Sequence, residues 1–72
     1  MSMKLIQATV DHYHAQRSQA TAHLEILITK SVGIGEHTDL TAEVRKWTEE
    51  IAQAEECLGV LRNIVQQTGE QQ

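Results

Sequence analysis

The sequence predicts an all-α fold: one antiparallel helical hairpin that assembles with further copies of itself into a compact homo-oligomer. Three observations predict it. Apolar residues alternate at spacings of four and three in two long segments, the mark of one helix face. A single glycine-rich break, Ser31-Val32-Gly33-Ile34-Gly35, separates the segments. The 72 residues contain no proline and only one cysteine, Cys57, so nothing interrupts the helices and no internal disulfide can staple them.

The first helical segment spans about 3–30, where Ile6, Val10, Tyr13, Arg17, Ala20, Leu24 and Leu27 form the seam. Beside it Ala8, Ala15 and Ala22 recur every seven residues, and small residues allow helices to approach. The segment is either one helix of about 40 Å at 1.5 Å per residue or two pieces, with a kink near Thr9 and Thr9 capping the second. Its first turn, Lys4-Leu5-Ile6, has few stabilising neighbours and is free to swing out to another subunit. The loop covers 31–37.

The second helix covers about 38–67. Leu40, Val44, Trp47, Ile51, Ala54, Leu58, Leu61 and Val65 make an unbroken seam. Either Thr38 or Asp39 caps its start. Thr68-Gly69 ends it, and 68–72 is a polar tail. Cys57, Val60 and Ile64 form a second row, read either as part of one broad core face or as contact with a further partner. Gly59 costs about 1 kcal/mol relative to alanine in a helix interior, which a close helix crossing would explain. With the two seams facing each other, Ile26, Ile28, Cys57, Val60 and Ile64 are expected on the outside.

A domain this small buries only about 60% of the surface its unfolded chain exposes, and disulfides, metals or oligomerisation normally make up the difference. The lone cysteine allows neither an internal disulfide nor a cysteine-based zinc site, which leaves a very regular helix pair or self-association, and the sequence suggests both. The lone thiol fits a reducing, cytoplasmic setting. No apolar run approaches the ~20 residues that span a bilayer, and Met1-Ser2-Met3-Lys4 lacks the apolar stretch of a signal peptide. Six Lys and Arg against ten Asp and Glu give a net charge of −4, which argues against extended DNA or RNA but permits a small anion held by a few local cations.

Several residues do not suit a plain seam. Tyr13 and Arg17 lie one turn apart. Each has a structural reading, the ring as core and the guanidinium snorkelling to solvent; together they also suit a base and its phosphate. Lys30-Ser31-Val32-Gly33-Ile34-Gly35 is either a turn device or a cation, a hydroxyl and successive amides that nest an anion, next to the N-terminus of the second helix. Of the four histidines, His12 and His14 do not face each other on a helix. None of the four has metal-ligand spacing, so no metal or other cofactor is expected; His37 stands out only because it follows Glu36 in the loop. No nucleophile has a base beside it, and Cys57 reads as a small buried hydrophobe. Arg45–Glu49 and Lys46–Glu50 read as charge pairs on a solvated face. Binding is therefore expected rather than catalysis.

The run Ser31-Val32-Gly33-Ile34-Gly35-Glu36-His37-Thr38-Asp39-Leu40, with Lys4-Leu5-Ile6 and His12-Tyr13 upstream, resembles the small phage-encoded anti-CBASS nucleotide sponges. Their helical hairpin is related to that of the Thoeris anti-defence sponges. The resemblance covers nearly the whole chain, and its specific part is Val32 to His37. It implies a hexamer in the cytoplasm of an infected bacterium that sequesters cyclic dinucleotides such as 3′,3′-cyclic GMP-AMP, and in some members cyclic trinucleotides, without cleaving them. CBASS effectors would then go without their signal. By the same resemblance Tyr13 would stack on a base, and Lys30, with Thr29 and Ser31 beside it, would contact phosphate; Gly33, Gly35, Glu36 and His37 complete the expected loop site. A second site is not placed by the resemblance; Arg17 or the pair Arg62-Asn63 suit one by their chemistry. The competing expectation is a structural or protein-binding oligomerisation module with no small-molecule ligand.

Overall fold

The computed structural model describes residues 2–30 and 39–70. Two helices account for nearly all of them: α1, Met3–Lys30, and α2, Leu40–Glu70. They pack against each other along their length. Their direction follows from the partners that meet, because ascending α1 means descending α2: Tyr13 lies against Cys57, Gln16 bonds to Gln53 and Glu50, and His23 stacks on Trp47. The result is an antiparallel hairpin, a rod of 57 × 17 × 16 Å.

Side chains start both helices. The Leu5 amide donates to Ser2 Oγ at 3.3 Å, and the Ala42 amide donates to Asp39 Oδ1 at 3.0 Å; each satisfies an amide that the helix leaves without an internal partner. Asp39 thus caps α2, and Glu43 in the first turn adds favourable charge at the positive end of the helix dipole. α1 is unbroken through Thr9. The Thr9 hydroxyl donates to the Leu5 carbonyl one turn back, at 2.8 Å, so it bonds within the helix and caps nothing. α2 runs through Thr68 and Gly69 to Glu70. Thr68 makes the same type of bond to Ile64, at 2.9 Å, which extends the helix over part of the expected tail. The loop expected at 31–37 lies outside the described residues.

The seams face inward. Every expected α1 seam residue is buried or half-buried, as are those of α2 from Trp47 to Val65. Leu40 and Val44, near the start of α2, remain exposed. The buried core is thin: Ala20, Ala54 and Leu58. Ala8, Ala15 and Ala22 are all exposed, because at 3.6 residues per turn their row points away from the seam. The close approach runs through Ala20 and Ala54 instead.

Ile26, Ile28 and Val60 are exposed as expected. Cys57 and Ile64, two turns apart on α2, are half-buried, and Cys57 lies against Tyr13, so the buried stripe of α2 is wider than one seam. The accessible surface is 5672 Å², against about 4500 Å² for a folded monomer of this mass. The difference exceeds the ~800 Å² that one partner contributes to a standard interface.

Gly59 does not mark a close crossing within the hairpin, since a Cβ built there meets nothing within 4 Å. Gly59→Ala is expected to stabilise the fold by about 1 kcal/mol, read as a rise of several degrees in Tm. A fall in Tm would place another chain against this position.

Candidate functional site

The two edges of the hairpin, where the helices part, carry different chemistry. On one edge Val10, His14 and Arg17 of α1 and Glu55, Leu58, Leu61, Arg62, Val65 and Gln66 of α2 line a groove of about 360 Å³. The volume falls at the low end of the ~300–1,000 Å³ of ligand pockets. Its floor is apolar because the seam residues Val10, Leu58, Leu61 and Val65 supply it. Its rim is polar because the next residues around each helix are His14 and Arg17 on α1 and Glu55, Arg62 and Gln66 on α2. Arg17 Nη2 lies 3.3 Å from His14 Nδ1. A guanidinium can only donate, so in this contact His14 accepts through Nδ1. Two guanidiniums against one carboxylate leave one net positive charge over an apolar floor, a setting suited to an anionic ligand with a flat or apolar body.

The other edge is a polar clip. Gln16 Nε2 reaches three acceptors on α2, the Glu50 carbonyl at 3.3 Å, Glu50 Oε1 at 3.2 Å and Gln53 Oε1 at 3.0 Å. Further along, the His23 ring stacks on Trp47 with centroids 4.2 Å apart and planes 8° from parallel. Lys46 Nζ sits 4.6 Å from the centroid of the Trp47 ring, a cation–π contact. The charge pair expected between Lys46 and Glu50 is thus replaced: the ammonium lies over the indole, and the carboxylate accepts from Gln16.

Tyr13 is half-buried on the seam, with the His12 ring edge-on to it at 4.9 Å. The Cys57 thiol beside the Tyr13 hydroxyl holds the phenol above its ordinary value of 10, first by hydrogen bonding, then through the charge of the thiolate, then by desolvation. Tyr13 is not among the groove residues, whereas Arg17 is. The platform of ring and guanidinium expected from their spacing is therefore split: the hydroxyl turns to Cys57 and the guanidinium to the groove.

Thr29 is exposed near the end of α1, and its hydroxyl donates to the Glu25 carbonyl at 2.7 Å. Donation to a phosphate would require breaking that bond. Lys30 ends α1. Ser31, Gly33, Gly35, Glu36 and His37 lie outside the described residues. Thr29 lies sixteen residues along α1 from Tyr13, about 24 Å at 1.5 Å per residue. Within one chain the tyrosine and the end of α1 lie too far apart to grip the same small ligand.

Metal-ligand spacing does not single out His14, and no sequence motif marks Glu55 or Gln16. A signal for them exists. His14 keeps four-and-three spacing with the seam residues Val10 and Arg17, and Gln16 and His23 keep it with the seam residues Ala20 and Leu27; residues so placed flank the seam and line the edges of a helix pair. Among the described residues no group of three His, Cys, Asp or Glu is placed to hold a metal, and no helix is long and apolar enough to cross a membrane. No protein-family model, curated protein or solved structure matches the chain.

Tyr13 is the only tyrosine, so phenolate absorbance reports it alone. The intact protein is expected to titrate above pH 10, and Cys57→Ala to bring the midpoint back down toward 10. An unchanged midpoint in the variant would remove Cys57 as the cause.

Proposed function

We propose that this chain is a non-catalytic binding protein that sequesters cyclic oligonucleotide signals, above all cyclic dinucleotides such as 3′,3′-cyclic GMP-AMP, in sites completed by oligomerisation. The reading extends to a phage anti-defence role in the cytoplasm of an infected bacterium, where captured signal no longer reaches CBASS effectors. The observation that carries it is the edge groove: Arg17, Arg62 and His14 converge over an apolar floor. Guanidiniums suit phosphate because their forked donors match its oxygens, and an apolar floor suits a base. The resemblance of the 31–40 segment to the sponge family adds the ligand class. The hexamer expected from that family agrees with the thin core and with an accessible surface above that of a folded monomer. Several copies are also what the 24 Å between Tyr13 and the loop end requires, if both are to touch one ligand.

A second reading, an oligomerisation module without a ligand, is favoured by one observation. Tyr13 sits half-buried in the seam with its hydroxyl against Cys57, as a core tyrosine would. Both readings include self-association, so the ligand separates them.

Calorimetry of the full chain against a panel of cyclic di- and trinucleotides is the test. A dissociation constant below about 10 μM, roughly −7 kcal/mol, is expected for at least one cyclic dinucleotide, with the ligand recovered intact after denaturation. Arg17→Ala removes a charged hydrogen bond of about 1.5–3 kcal/mol and should weaken binding at least tenfold with the oligomer unchanged in sedimentation. Tyr13→Ala should cost about 1–3 kcal/mol if the ring stacks on a base. The absence of binding across the panel would favour the ligand-free module, and linear products would indicate an enzyme.

A further inference from the structure

We propose that His14 is a positioning residue for Arg17 and that its protonation makes the edge groove a tighter site for a phosphate-bearing ligand in acid than in alkali. The inference rests on the reading of that groove as a phosphate site. Its basis is the 3.3 Å contact between Arg17 Nη2 and His14 Nδ1. In this contact the imidazole is the acceptor, so one guanidinium N–H points at a side chain of its own helix. Protonated imidazole has no acceptor left. The contact must then open, which frees that N–H and places two cations one turn apart on α1.

The groups facing His14 set the sign. From its own helix Arg17 adds a permanent positive charge; Asp11, one turn earlier, is already bonded by Gln7 Nε2 at 2.9 Å. From α2 the groove brings Arg62 and Glu55. Arg62, like Arg17, repels an imidazolium when the groove is empty. Glu55 attracts it, and works against a phosphate. With His14 neutral the groove carries two cations and one anion; with His14 protonated it carries three cations and one anion. A phosphate in the groove accepts from the freed Arg17 N–H and from the imidazolium, and relieves their mutual repulsion. Proton and phosphate thus each favour the binding of the other, and linkage makes this reciprocal.

Histidine is the side chain whose charge ordinarily changes between about pH 5 and 8, and the test spans that range. The probe is 3′,3′-cyclic GMP-AMP, whose phosphodiesters keep one negative charge each across that window. Binding to the full chain is measured at about pH 8 and about pH 5.5. The wild-type protein is expected to bind at least about fivefold more tightly at the lower pH, within the usual range of coupling between two bound species. His14→Gln is the decisive variant. The amide oxygen of glutamine can still accept from Arg17, but it does not titrate, and the position is exposed, so the fold is retained. Whatever its affinity at pH 8, the variant is expected to show no gain in acid. Equal wild-type binding at both pH values, or a gain that persists in His14→Gln, would overturn the role of His14 and leave the groove as a site. No binding at either pH would overturn the site itself.

Discussion

Ala20 and Ala54 set how near the two helices come. They expose 1% and 0% of their surface, and no larger side chain is as deeply enclosed among the described residues. A helix pair held by small residues at its centre packs closely but encloses little volume. The large apolar side chains, Tyr13, Leu24, Trp47 and Ile51 among them, are left half-buried. Most other features follow from this geometry: the core is thin, the edges are open, and polar side chains line the edges because water still reaches them there.

The open edges explain why polar residues stand beside the seams at no evident cost to the fold. Gln16 would be out of place in an enclosed core, where unpaired amide atoms are expensive. At a helix–helix edge it bonds to Glu50 and Gln53 and holds the helices in register. His23 and Trp47 do similar work through ring stacking. On the opposite edge no comparable clip closes the gap among the described residues, and the groove remains. The two edges thus divide the tasks, one holding the pair together and the other staying open.

Much of the fold was legible in the sequence because helix periodicity is a local signal. The two seams, the break between them and the cap at Asp39 all follow from spacing and residue type within a few turns. Other features required the partner helix. Whether Thr9 caps a helix or bonds within one depends on the continuity of α1. Whether Gly59 marks a crossing depends on what stands opposite it. Cys57 is half-buried where Tyr13 of the facing helix lies against it, a contact that spacing within α2 does not encode. The candidate site was legible only in part: Arg17 stood out as a charged residue on an apolar seam, but its convergence with Arg62 joins residues forty-five positions apart, which no local pattern encodes. His14 was discounted by metal-ligand spacing, a criterion that does not detect a histidine holding an arginine.

The difference between the edges also bears on symmetry. A hairpin with one clipped edge and one grooved edge has no two-fold axis of its own. Copies that meet through like edges form isologous pairs, which close at two. Copies that meet through unlike edges form heterologous contacts, which close into a ring or continue as a filament according to the rotation between neighbours. Because the edges are chemically distinct, both kinds of contact can coexist in one assembly without competing for the same residues. Were both kinds used at once, the closed body would have dihedral symmetry, and in it a groove facing its own copy across an axis would present its guanidiniums twice to a single, similarly two-fold ligand.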